Sequence, residues 1–216
     1  MKNLIAISAA ALTAASASAG VTATNNNGTW TTAFQTIYPS ADFYVDTLSN
    51  ATVSGATVVG GHGWGAYTVT STNTTSVLTI SGSGSAKSIV ATPDPISNDN
   101  YINFNFANSS GFAGGMYAIG IYFTVTSIAN DPPAPLATAV FGNNTGATWN
   151  SFVVAPGVNF IGFYSNSNDR VIDVTLMFGN GAVITVTDLE YGLVPAPGAV
   201  ALVGVAGLVG SRRRRA

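Results

Sequence analysis

Apolar and polar positions alternate with a period of two along most of this chain. Tyr117, Ile119, Ile121, Phe123 and Val125 interleave with Ala118, Gly120, Tyr122, Thr124 and Thr126. Because successive side chains of a strand point to opposite faces, this run predicts a β-strand with one wholly apolar face turned to a core. Ile102, Phe104 and Phe106 alternate with Tyr101, Asn103 and Asn105 in the same way, as do Ile172, Val174, Leu176 and Phe178 with Val171, Asp173, Thr175 and Met177. Weaker runs rich in β-branched residues predict further strands at 51–59, 66–70, 76–81, 136–141, 159–164 and 182–189. Between the chain's two ends no segment carries a helical period.

Turn chemistry separates the runs. Asn180-Gly181 is a type I′ hairpin signal, and Gly142-Asn143-Asn144-Thr145-Gly146 reads as a loop between strands. Asp131-Pro132-Pro133-Ala134-Pro135 and Thr92-Pro93-Asp94-Pro95 are breaks that no central strand could hold. Many short strands with frequent turns predict an all-β fold, a two-sheet sandwich of jelly-roll topology over residues 20–193. Gly82-Ser83-Gly84-Ser85 reads as a loop tip within that one domain, with a linker as the alternative.

The two ends break the pattern. Lys2, an apolar stretch from Leu4 to Ala15 and the Ala17-Ser18-Ala19 triplet have the order of a secretory signal peptide over residues 1–19, with a signal helix and cleavage before Gly20. At the other end, over 194–216, Pro195 and Pro197 hold Val194-Pro195-Ala196-Pro197-Gly198 extended. Ala199 to Gly210 are then all Ala, Val, Leu or Gly, and Arg212, Arg213, Arg214 and Arg215 follow. With its neighbours the apolar stretch approaches the roughly 17 residues that can just cross a bilayer. Gly204, Gly207 and Gly210 weaken it as a helix by about 1 kcal/mol each. The arginines resist transfer through hydrocarbon, so the body is expected outside and the C-terminus inside. A buried core helix, or a basic nucleic-acid patch, are the blander readings of the same residues.

This order of a Pro-containing motif, a short hydrophobic transmembrane helix and an arginine cluster resembles the PEP-CTERM sorting signal of exported bacterial proteins associated with exopolysaccharide. The resemblance covers only the tail, and Ala196 stands where the family usually has Glu. It implies recognition by an exosortase-type membrane processing enzyme that cleaves near the Pro motif, transient membrane insertion, and delivery to the cell surface or extracellular matrix.

Removing both signals changes the charge. The body keeps only Lys87 and Arg170 against nine acidic residues, a net charge near −7, which does not suit nucleic acid, whose affinity comes mostly from cationic contacts. There is no cysteine. Stability in an oxidising space must therefore come from a hydrophobic core, for which the body is long enough.

Catalytic constellations are sparse. His62 is the only histidine and sits in Gly60-Gly61-His62-Gly63-Trp64-Gly65, a loop-like run with no triad signature around it. No catalytic residue is assigned. Asp188 and Glu190 share one side of the last strand, and Asp169 and Asp173 lie on or near the strand before it. Solvated acids at strand ends are the first reading of these residues, a calcium site with loop carbonyls the second and a glycosidase pair the last. No cofactor or metal is otherwise indicated.

Trp30, Trp64, Tyr67 and Trp149 adjoin polar or glycine-rich sequence. They are either core residues or, for Trp64, Tyr67 and Trp149, a candidate ligand face on which sugars stack, with amides such as Asn143, Asn144 and Asn150 beside them. The sequence thus points first to an exported, non-enzymatic sandwich with a structural or adhesive role. A carbohydrate-binding module for extracellular polysaccharide is the alternative, and a glycan-active enzyme the third.

Overall fold

The computed structural model of the chain describes residues 21–62, 65–71, 77–93, 100–106, 116–126, 136–141, 146–149, 154, 157–166, 170–178 and 182–194. Both predicted terminal helices, with Ala17, Ala19, Gly20 and all of the sorting motif after Val194, lie outside them, as do Asn180-Gly181 and the 131–135 break.

The strands, in chain order, are β1 Val21–Thr24, β2 Asp42–Asp46, β3 Thr52–Ser54, β4 Thr57–His62, β5 Gly65–Ser71, β6 Val77–Ser81, β7 Ser88–Thr92, β8 Asn100–Asn105, β9 Ala118–Thr126, β10 Leu136–Phe141, β11 Gly146–Trp149, β12 Asn159–Ser165, β13 Val171–Phe178 and β14 Val183–Leu193. Among the described residues there is one α-helix, α1, spanning Asn27–Ile37. It is not long and apolar enough to cross a membrane.

The strands form two sheets, all pairings antiparallel. One, here sheet A, runs β1-β12-β9-β14-β7-β6, with β2 beside the far half of β14; the other, sheet B, runs β11-β10-β13-β8-β5-β4-β3. Strands β7 to β14 alone give the orders β7-β14-β9-β12 and β8-β13-β10-β11, the two interlocked four-stranded sheets of a jelly roll. The predicted sandwich is what the chain forms, and its first six strands widen that unit at its sides.

The inner faces hold the alternating apolar residues. Ile119, Ile121 and Phe123 of sheet A meet Ile102, Phe104, Val174 and Leu176 of sheet B, all with no exposed surface. Two expectations need correction. The strand predicted at 51–59 is a hairpin, β3 and β4, because Gly55 adopts φ 64°, a left-handed turn conformation that ends the first run. The glycine-rich run predicted as a loop at 60–65 instead carries the end of β4: Gly60 pairs with Tyr67, whose ring occupies the space a Cβ would need.

The helix is the element that periodicity misses. Four of its eleven residues are threonine, a poor helix former. Its signal is shorter: Asn26 caps it by accepting from the Thr29 N–H at 2.9 Å, and Trp30 and Phe34, one turn apart, are fully buried.

Candidate binding faces

One end of the outer face of sheet A, over β1, β12, β9 and the far half of β14, is covered by α1. Across β9, β12 and β14 the outward positions Gly120, Gly162, Ala118 and Gly192 make a shallow trough with almost no side chains, and Gly162 is paired with Gly120. Trp30 and Phe34 fill it. A Cβ on Gly162 would lie 2.6 Å from Trp30 Cδ1, and one on Gly192 would lie 2.5 Å from Phe34 Cε1. Phe43, Phe160 and Tyr164 close the sides, and the Trp30 indole N–H donates to the Phe163 carbonyl at 3.2 Å.

The polar groups beside α1 are engaged in holding it. Glu190 is only 6% exposed and accepts at 2.7 Å from both Asn27 Nδ2 and the Tyr122 hydroxyl. Asn27 opens the helix, so this carboxylate lies near the positive end of the helix dipole. Burial, then the bond to Glu190 and the charges of Glu190 and Asp188, push the Tyr122 phenol far above its ordinary value of 10.0. At the other end of α1, the Arg170 guanidinium lies 3.5 Å from the centroid of Tyr117, whose ring is 5.4 Å from that of Tyr38. That cation occupies one face of the ring.

The acids do not form a glycosidase pair across the last two strands. Asp188 and Glu190 lie on the outer face of sheet A, in register with Tyr122 and Gly120, whereas Asp173 lies on the outer face of sheet B, at the opposite side of the sandwich. The strands β13 and β14, adjacent in sequence, belong to different sheets. Asp169 lies outside the described residues. Among the described residues no group of three or more His, Cys, Asp or Glu could hold a metal ion.

The outer face of sheet B has a different construction, and no described element packs over it. Its strand registers align Ser54 with Thr57, Thr57 with Thr70, Thr70 with Asn103 and Asn103 with Thr175. The same row continues in register to Thr138 and Thr148. Every position of this row across seven strands is a hydroxyl or amide residue. Two residues along, a second row holds Thr52, Val59, Thr68, Asn105 and Asp173. The amides are held in place: Asn103 Nδ2 donates to Thr175 Oγ1 at 2.9 Å, and Asn105 Nδ2 donates to Asp173 Oδ1 at 3.0 Å. Ser54, Thr57, Thr70, Asn103 and Thr175 are partly or fully open to solvent, as are Asn105 and Asp173.

Of the aromatic ligand face expected from the sequence, Tyr67 is corrected. It is 2% exposed on the inner face of β5, 6.4 Å from Phe104, and is a core residue, placed there by the alternation that buries Val69. Trp149 ends β11, paired with Ala137. Trp64, Asn143, Asn144 and Asn150 lie outside the described residues, and His62 closes β4 opposite Gly65. Trp30 is core, on the buried face of α1. The rows on sheet B went unrecognised in the sequence, although Thr68-Val69-Thr70 and Asn103-Phe104-Asn105 each carry the local signal of two polar positions flanking a buried one.

No family model matches the chain, and no curated protein matches it. Among solved structures it is similar to a family 29 carbohydrate-binding module from Piromyces equi, with 15% identity and a TM-score of 0.40 over 71% of this chain and 91% of that one. It is also similar to a single-site mutant of a family 29 carbohydrate-binding module, with 10% identity and a TM-score of 0.37 over 72% of this chain and 99% of that one. Similarity at this level leaves the faces to be read from their own residues.

Proposed function

We propose that this chain is an exported protein of the bacterial cell surface or extracellular matrix whose sandwich binds polysaccharide and thereby adheres to or scaffolds the matrix. The observation that carries the reading is the asymmetry of the two faces. On sheet A, α1 covers one end of the outer face and the open remainder breaks its threonines with a valine, as in the row Thr79, Val90, Thr185 and Thr124, while sheet B presents an unbroken in-register row of Ser, Thr and Asn. Hydroxyl and amide groups each donate and accept, which matches the mixed donors and acceptors of sugar hydroxyls. Adhesion and glycan binding are then one activity: the contact to the matrix is the contact to its polysaccharide.

Export and tail processing complete the proposal. The signal at 1–19 would direct secretion, and an exosortase-type enzyme would release the body at the Val194–Gly198 motif after transient insertion of the short hydrophobic segment. Intact-mass analysis of the surface-released protein should give termini near Gly20 and Pro197; a main surface species still carrying Arg215 would reject processing in favour of a retained anchor. Affinity electrophoresis against a panel of neutral and acidic polysaccharides tests the binding. Unretarded migration in every gel would reject it.

A further inference from the structure

We infer that the row Ser54, Thr57, Thr70, Asn103 and Thr175 on sheet B is a track for a single, uncharged polysaccharide chain lying across the strands. This rests on the polysaccharide-binding reading above and adds the ligand's charge, its physical state and its direction.

The direction follows from register. Adjacent strands are about 4.8 Å apart, so the row offers one hydrogen-bonding side chain at each step, about the size of a sugar unit in an extended chain. Over its five described positions the row covers about 19 Å, and over all seven strands about 29 Å. Along a strand the next outward position is about 6.7 Å away, and the neighbouring row is interrupted by Val59. A chain running across the strands therefore meets a polar group at every step, whereas one running along a strand meets two or three in all.

Charge decides the ligand's class. The row itself has no ionisable group. Among the described residues the acid of the second row, Asp173, is bonded to Asn105, and the body as a whole is acidic. An anionic polymer would find no cation on this face and a repulsive field around it. A neutral chain meets neither cost. Asn103 spends one of its two amide protons on Thr175, which orients the side chain and leaves its other proton and its carbonyl for a ligand.

The physical state follows from shape. Neighbouring strands are rotated by about 20 to 25°, so over several strands the row winds as a shallow spiral. A single dissolved chain can follow that twist. The flat face of a crystalline polysaccharide cannot, and such a face is ordinarily gripped by a plane of exposed aromatic rings, of which the described side chains of these rows contain none.

The test uses the full chain in affinity electrophoresis. The neutral polymers are hydroxyethylcellulose, galactomannan and dextran, the anionic one is carboxymethylcellulose, and a pull-down on crystalline cellulose runs alongside. Retardation by at least one neutral polymer is expected, at least tenfold stronger than by the anionic one, insensitive to added salt and to chelator, with no capture on crystals. Thr70→Val with Thr175→Val, which keeps β-branched side chains and removes two hydroxyls from the row, should weaken that binding at least tenfold. Thr57→Val, on a separate strand, should weaken it severalfold. Thr124→Val with Thr185→Val, on the outer face of sheet A, should leave it unchanged. Preferential binding of the anionic polymer, capture on crystals, or unchanged neutral binding in both row variants would overturn the track while leaving polysaccharide binding intact. No binding of any polymer would instead overturn the reading on which it rests.

Discussion

Tyr67 shows how a single residue changes meaning between sequence and fold. In the sequence it adjoins a glycine-rich run and looks available to a ligand; in the fold it is the inner residue of β5, its ring lying over Gly60 and its hydroxyl buried without a hydrogen-bond partner. A buried hydroxyl left unpaired costs about 1 to 3 kcal/mol. Tyr67→Phe keeps the ring against Phe104 and removes only that group, so it should raise stability by about 1 kcal/mol, seen as a higher urea midpoint with an unchanged slope. A fall in midpoint would mean that the hydroxyl is satisfied within the core. Gly60→Ala should do the opposite, since its Cβ would enter the ring. The deciding information is non-local: the pairing of Gly60 with Tyr67 places a large side chain where a glycine is needed, and neither residue indicates this alone.

At the scale of elements, the legible parts are those whose two faces differ most. β8, β9 and β13 separate a buried apolar file from a more polar one, so period two marks them directly. The helix lacks such contrast and is held by its surroundings. Isolated helices of this length are marginal in water, which assigns most of its stability to the glycine trough rather than to its own sequence. Two substitutions separate these contributions. Asn26→Ala removes the cap and should cost about 1 kcal/mol, while Gly162→Ala forces a Cβ into Trp30 and Phe160 and should cost about 1 to 3 kcal/mol by overpacking. A Gly162→Ala cost clearly smaller than that of Asn26→Ala in thermal or urea unfolding would argue that local capping, not docking, holds α1. The rows of sheet B illustrate the remaining gap. Thr57, Thr70, Asn103 and Thr175 each occupy a visibly polar position of their own strand, but only the registers of three separate pairings bring them into one line.

For the whole molecule, the absence of cysteine puts the burden of stability on a core that includes phenols as well as hydrocarbon. Tyr67, Tyr122 and Tyr191 all have pKa values above the ordinary 10.0. Burial is the main cause in each, followed by the negative charge of Asp46 for Tyr67 and Tyr191 and by the bond to Glu190 for Tyr122. A phenol whose folded pKa is raised binds its proton more tightly in the folded chain than in the unfolded one. Its contribution is therefore fully present below the unfolded pKa near 10 and is lost as pH rises from there toward the folded value. Neutral and mildly alkaline conditions should leave stability flat with respect to these groups, and a decline should set in above about pH 10. Tyr67 and Tyr191 join the inner faces of the two sheets, so ionising them requires the sandwich to open. Phenolate absorbance should consequently rise in two phases, a gradual one from the more exposed tyrosines and a later cooperative one coincident with loss of the β-sheet circular dichroism signal. A single gradual phase complete before that signal changes would place these phenols in contact with water and contradict their burial between the sheets.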